Sequence, residues 1–572
     1  MKYIFYVLGL FAFALPLLSF AQCAIEEIDI DQRFARAEVI VEGKISEQYC
    51  FEDAGDGHIY TANTIEVYKV FKGEICGSKV KLITKGGFIG DRGESLYPSL
   101  QVQTGNIGMF FLYRGRPYEH NVSNSYSPYA GPQSMISYDV YEESASDAFR
   151  RYGEVNELYK IIGQLSYSSA KEIAPLEWPS RVYKSSPNID SISPKNASAG
   201  TKSVLNVYGF GFGNVQGSGV VEFRNASTGP TAVYPAATEY LSWTDTLISV
   251  EIPYTAGSGT IRVVQGGSDI VPGLVIRFAQ LALPTSGTPI PTVHLDNNGS
   301  GGFTWQMAND FSSNSGARQS FERALDSWSS KTCMNWKNGP STTVDQDLQD
   351  QTNNVRFANS GELETGVLAV TRNYWTNCNS ATAYTVEIDM SFDPDKNWYT
   401  GSSLPSFNQY DIESVSVHEL GHAHQLGHVI NIADFMHATL GPGSTKRNLI
   451  DNDIEGGLYV MKKSVVKKPC GPTEMMPKAN CTVPVGIAIS KKGETWKVYP
   501  NPSSGIFYIK TGLGEQAIMS VYNNTGALVN QKRLTGQGVE VWQASGDLPE
   551  GLYHCRIVSE NRKLQGHFIL KR

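Results

Sequence analysis

The sequence predicts a multidomain chain in which one α+β domain is flanked by all-β modules. Three observations predict it. The 572 residues exceed what a single hydrophobic core can hold and suggest about three to five domains. Outside residues 281–463 the chain reads mostly as short alternating strands broken by Gly- and Pro-bearing turns. Inside that interval, strand-like runs alternate with segments whose apolar residues recur at helical spacing.

Residues 1–21 read as a secretory signal. Lys2 supplies a positive start, an apolar run follows, and Ser19-Phe20-Ala21 ends it in a small-x-small pattern before Gln22. Cys23 invites a lipoprotein reading, but Gln22 is a poor residue to precede a lipidated cysteine. No later stretch is long and apolar enough to be a transmembrane anchor. The eight cysteines fall in loose local groups, as suits a few disulfides in an oxidising compartment. The net charge of −8, without any block of Lys or Arg, argues against a nucleic-acid partner.

Residues 22–165 alternate as strands at Ala37–Gly43, Thr64–Val70, Val80–Ile83 and Gly108–Leu112, with a helix expected around Ala145 to Gln164. This indicates a β-barrel or sandwich and resembles the OB-like barrel of netrin and metalloproteinase-inhibitor modules. Cys23, Cys50 and Cys76 are an odd set, so one is expected to stay free or pair elsewhere. The module could be a pro-segment, an inhibitor of its own enzyme, or a binding module. A Pro- and Ser-bearing linker, 166–187, follows. Residues 188–280 carry short strands at regular spacing, as in an immunoglobulin-like sandwich. The strings Leu205-Asn-Val-Tyr-Gly-Phe-Gly-Phe-Gly and Ser242-Trp243-Thr-Asp resemble the IPT/TIG family. That resemblance implies core packing for Trp243 and a spacer or docking role for the module.

Residues 281–463 hold the chemistry. His418 and His422 are four apart, so a helix projects both from one face, and two neutral imidazoles at that spacing can share one zinc ion. Glu419 lies beside them as the catalytic general base, and His428 offers a third nitrogen from beyond the helix end. Three protein ligands leave a fourth position open, which separates a catalytic zinc site from a structural one. Met436 follows eight residues after His428. Together these residues resemble the metzincin metallopeptidases, and the short interval to Met436 is most similar to the matrixin branch. The resemblance implies an α+β catalytic domain, one catalytic Zn2+, peptide or protein substrates, and a methionine turn flooring the metal.

The same resemblance assigns Gly316–Trp328 to a first helix ending near Asn335-Trp336, Asn354–Ala358 to a central strand, and Leu449–Tyr459 to a closing helix. It places Leu368, Ala369 and Val370 in the edge strand above the cleft. An edge strand offers unpaired backbone groups to which an extended substrate can add. Asp411 to Ser414 is expected to open the active-site helix.

Two departures from the family pattern stand out. Gln425 replaces the motif's central glycine, so either it bears a left-handed backbone or Gly427 moves the turn along. Ala438 stands where astacin-like enzymes carry a tyrosine, so no such tyrosine is expected. Glu455 is an alternative third ligand, disfavoured by the position of Met436. His424, about 200° round a helix from His422, is read as a packing histidine, and His437 receives no role. Cys333 and Cys378 are the only cysteines of the domain and are expected to pair. Calcium suits a secreted enzyme of this kind, but Asp393 and Asp395 form no recognisable binding loop.

In the linker 464–485, Cys470 faintly resembles the inhibitory cysteine of matrixin pro-regions, although a local disulfide to Cys481 is the preferred reading. Residues 486–572 carry Val498-Tyr-Pro-Asn-Pro502, Gly505-Ile-Phe-Tyr-Ile and Leu548-Pro-Glu-Gly-Leu-Tyr553 in order. They resemble the β-sandwich sorting domain read by the type IX secretion machinery of Bacteroidetes. The expected protein is therefore a secreted or cell-surface zinc endopeptidase. The alternative from another class is an adhesin with a non-catalytic metzincin-like domain.

Overall fold

The computed structural model describes residues 25–571 apart from 115–121, 123, 167–168, 179–186, 266–267, 284–287, 379–380, 432–433, 439–440, 467–474, 480, 482–496, 500, 511–516, 524–527, 535–538, 546–547 and 560–561. The expected signal peptide therefore lies outside the described residues, as does Cys470. The chain divides into two compact units, Met1–Val483 and Pro484–Arg572.

In the first unit the N-terminal strands close into a ring. Val39–Glu52 pairs with both Ile59–Lys72 and Ile107–Tyr113, and Lys79–Lys85 runs parallel to Ser125–Pro128. The resulting five-strand order closes a barrel, which removes free edges. Val41, Ile65, Leu82, Phe110 and Leu112 alternate inward to fill it. The helix is shorter than the sequence suggested. Val155–Leu165 is helical, but Ser144–Ser146 and Arg151–Glu154 are paired strands whose turn residues break the helical period. Cys50 and Cys76 are both free thiols.

A hairpin leaves this barrel. Gly87–Ile89 and Arg92–Tyr97 pair with each other and then join the sheet of the following α+β domain. That sheet runs Trp336–Asn338, Phe303–Met307, Asn353–Phe357, Ala383–Phe392, Ala369–Thr376, with the first four parallel and the last antiparallel. Helix Ser315–Thr332 packs on one side through Ala317, Phe321, Ala324, Leu325 and Trp328, the one-face spacing expected of an amphipathic helix. It stops at Thr332, short of Asn335, because Cys333 adopts a left-handed conformation (φ 62°).

The immunoglobulin-like module between them forms two sheets, one containing Asn188–Ser193, Val204–Phe210 and Leu247–Glu251, the other Val220–Asn225, Ala256–Val264 and Ser268–Gln280. Its buried apolar residues, from Ile189 to Ala279, belong to one continuous cluster with those of the α+β domain. The second unit is a separate pair of sheets closing over Phe507, Trp542, Tyr553 and Phe568.

Candidate metal centre and substrate cleft

Helix Ile412–Ala423 sets the geometry of the site. Asp411 caps it, accepting from Ser414 N at 3.0 Å, and Arg447 Nε donates to the same carboxylate at 2.9 Å. One turn apart on this helix, His418 and His422 face a common point. The chain then reverses at Gln425, whose φ is 65°. Gln425 therefore bears the strain that a glycine would avoid, and Gly427 does not take over the turn. Its buried amide is held three ways: Oε1 accepts from Trp375 Nε1 at 2.9 Å, while Nε2 donates to Asn373 Oδ1 at 2.8 Å and Ala423 O at 3.1 Å. The reversal returns His428 to the other two histidines, and one ring nitrogen from each lies within 4.8 Å of the others.

Hydrogen bonding at the far nitrogens fixes which nitrogen faces inward. His418 Nδ1 donates to Phe435 O at 2.7 Å, and His422 Nδ1 donates to Leu426 O at 2.8 Å. His428 Nδ1 lies 3.0 Å from Ser227 Oγ. The Nε2 atoms are thereby left to converge, those of His422 and His428 only 3.1 Å apart. Burial, before any neighbouring charge, holds all three imidazoles below the usual histidine range, His422 down to about 4. They are neutral at physiological pH, the form that binds metal. His418 Nε2 and Glu419 Oε1 are buried without a protein partner. An unpartnered nitrogen, two further ring nitrogens 3.1 Å apart and an unpartnered carboxylate oxygen fit a small cation with nitrogen ligands, which is zinc chemistry.

Glu419 is positioned from across the cleft. Thr371 Oγ1 donates to its Oε2 at 2.7 Å, turning Oε1 to the centre. Burial pushes its carboxyl well above the usual range, the Thr371 bond only partly offsetting this; a dication nearby acts in the opposite sense. Met436 lies beneath the helix. A Cβ on Gly421 would come 2.2 Å from Met436 Sδ, so only glycine at that helical position admits the sulfur.

Comparison with known proteins agrees with this geometry. The Matrixin family model matches residues 299–460. The chain carries a matrixin domain. Metalloendoproteinase 2-MMP of Arabidopsis thaliana is 30% identical over 148 residues, 24% of this chain and 35% of that protein. Metalloendoproteinase 1 of Glycine max is 37% identical over 68 residues, 11% of this chain and 22% of that protein. The chain thus spans about a third or less of either relative's length. The IPT/TIG domain model matches residues 187–275, and the secretion system C-terminal sorting domain model matches 497–571.

Within the matrixin domain, other candidates fall away from the centre. Glu455 pairs with Arg277 and is no member of the histidine cluster. His424 is buried against Trp328, Trp336 and His294 and bonds Thr332 Oγ1 at 2.9 Å, a packing role. His437 bridges Val429 beside the methionine turn.

The disulfide expectations are corrected. Cys333 bonds Cys481, which excludes both the Cys333–Cys378 and the Cys470–Cys481 pairings. The reason is a return of the chain after the closing helix Asp451–Val466. Met476 N donates to Gly301 O at 3.0 Å and Lys478 N to Cys333 O at 2.9 Å, which brings a residue 148 positions away onto the end of the first helix. Cys378 is itself disulfide-bonded, but not to Cys333.

The edge of the matrixin sheet is covered. Leu368, Ala369 and Val370 are buried, and Thr371–Thr376 pairs antiparallel with Arg92–Tyr97 of the N-terminal hairpin, Thr371 opposite Tyr97 and Asn373 opposite Ser95. Ile25 bridges Val367 just upstream. The Tyr97 ring stacks on His422 with centroids 5.0 Å apart, and Arg372 Nη1 meets Glu94 Oε2 at 3.2 Å in a buried ion pair. Sequence reasoning missed Tyr97, Thr371 and Ser227. Each reaches the site from a remote segment through a contact that no local spacing encodes.

Proposed function

We propose that the chain is an exported zinc endopeptidase that cleaves peptide bonds of extracellular proteins. The observation that carries this is the convergence of three neutral imidazoles beside the unpartnered oxygen of Glu419. A bound zinc ion supplies Lewis acidity, polarising a peptide carbonyl and acidifying water. Glu419 Oε1 accepts the proton of the attacking water and returns it to the leaving amine, while Thr371 keeps the carboxylate aimed. The sorting domain supports export through the type IX machinery, with the substrate-cleaving part delivered outside the cell. Glu419→Gln should keep one zinc per chain and abolish peptide cleavage; wild-type turnover in that variant would refute the assignment.

A second element of the reading is latency. An extended substrate needs the outer edge of Ala369–Thr376, and the N-terminal strand Arg92–Tyr97 lies on it in the same antiparallel manner, its tyrosine against a ligand histidine. What supports latency is this shared occupancy: module and substrate compete for one set of backbone groups. Arg262 of the immunoglobulin-like module adds a second anchor, donating to Asp139 of the barrel at 2.9 Å. Separation of the module by cleavage between residues 165 and 188 should raise turnover of a quenched peptide, and unchanged turnover would refute it.

A further inference from the structure

Of the three far nitrogens that orient the metal-facing imidazoles, two are held by backbone carbonyls of the matrixin domain itself, Phe435 O and Leu426 O. The third is held by a side chain from another module. Ser227 sits just beyond strand Val220–Asn225 of the immunoglobulin-like sandwich, 201 positions before His428, with Oγ 3.0 Å from Nδ1. We propose that Ser227 is a positioning residue of the zinc site, so that the IPT/TIG module completes the active centre rather than merely spacing it. The proposal rests on the zinc reading above.

The surrounding contacts make the reach a built one. Asn225 Oδ1 accepts from both Ser227 N (2.7 Å) and Thr228 N (3.1 Å), and Ala226 N donates to Thr255 O (2.9 Å), fixing the loop that presents the hydroxyl. The two modules are sewn together immediately around His428. Ala279 and Gln280 pair antiparallel with Gly427 and Leu426, and Leu281 N donates to Gln425 O at 2.9 Å. A Cβ on Gly257 would lie 2.6 Å from Ile430 Cδ1, so the Ile430 side chain packs directly onto the Gly257 backbone. The chain segment carrying the third ligand is thus a strand of the immunoglobulin-like sheet as much as a part of the matrixin domain.

A hydroxyl also does what a carbonyl cannot. Carbonyl partners only accept, so His418 and His422 are locked with the proton on Nδ1 and Nε2 bare. Ser227 can accept or donate. Without metal, His428 can carry its proton on Nε2, directed at His422 Nε2 3.1 Å away, with Ser227 donating to Nδ1. In the other tautomer, the one a bound metal would need, Nδ1 carries the proton and donates a hydrogen bond to Ser227 Oγ. The serine satisfies both tautomers and keeps the ring turned toward the other two histidines in either.

The test uses the full chain stripped of metal and titrated with Zn2+ against a competing chelator. Ser227→Ala should weaken zinc binding about 10- to 100-fold, the usual effect of losing such an orienting partner, whereas Ser227→Thr, which keeps the hydroxyl, should stay within about threefold, close to the wild type. Thr228→Ala serves as the loop control, since its hydroxyl bonds Thr231 Oγ1 and not the histidine. The Co2+-substituted absorption spectrum should shift in Ser227→Ala alone. Equal zinc affinity in wild type and Ser227→Ala would overturn the proposal, and so would an equal loss in Thr228→Ala, which would make loop integrity the cause. Failure of the wild type to bind zinc at all would instead refute the metal assignment.

Discussion

Truncating Leu96 should partly unlock the protein. Leu96 is 3% exposed and packs with Ile25 of its own module and with Val367 and Val370 of the matrixin domain, so much of its burial exists only while the hairpin is docked. Leu→Ala at such a position costs about 2–5 kcal/mol. Taking about 2–3 kcal/mol as the share lost from docking, the open fraction rises roughly 30- to 150-fold at about 1.4 kcal/mol per factor of ten. Turnover at low substrate scales with that fraction while it remains small. The assay is hydrolysis of a quenched fluorescent peptide by intact wild type and Leu96→Ala, beside both proteins after cleavage at a site engineered between residues 165 and 188 and removal of the released module. Intact Leu96→Ala should exceed intact wild type by that factor, and the two cut proteins should be equal. A folded Leu96→Ala protein no more active than intact wild type would refute occupancy of the edge strand as the source of latency.

Other outcomes follow from the same geometry. Gly421→Ala should displace Met436 and lower zinc affinity, read by chelator competition, because its Cβ would fall 2.2 Å from the sulfur. Gln425→Gly should lower the melting temperature despite relieving a left-handed residue. The relief is about 1 kcal/mol, while leaving the buried Asn373 Oδ1 without its donor costs about 1–3 kcal/mol, and Trp375 Nε1 keeps only Thr385 Oγ1. For His424, burial holds the folded-state value at about 4 against 6.5. The stability it carries is therefore complete above 6.5 and lost as pH falls toward 4. His424→Gln should show a shallower fall in melting temperature over that interval, by up to about 1.4 kcal/mol per pH unit.

The three-histidine cluster is legible in the sequence because its parts are local. Four-residue spacing puts His418 and His422 on one helix face, and Met436 lies within one loop of His428. The helix start at Asp411 and the one-face apolar stripe of Phe321, Leu325 and Trp328 follow short-range rules too. What the sequence hid is long-range. Whether Gln425 or Gly427 would take the turn was undecidable, because the answer depends on Trp375 and Asn373, both about 50 residues upstream. Pairing the two cysteines inside the domain failed since the return of Met476 and Lys478 is made by backbone hydrogen bonds, which leave no residue signature. Arg92–Tyr97 is not among the strands that alternation picks out, and nothing in its residues states which sheet it joins.

The central claim is the ligand set, and X-ray absorption at the zinc edge of the loaded, full-length protein tests it most directly. Three imidazole nitrogens at about 2.0–2.1 Å with only light atoms besides are expected. A sulfur at about 2.3 Å, or a shell unchanged by His428→Ala, would contradict the account.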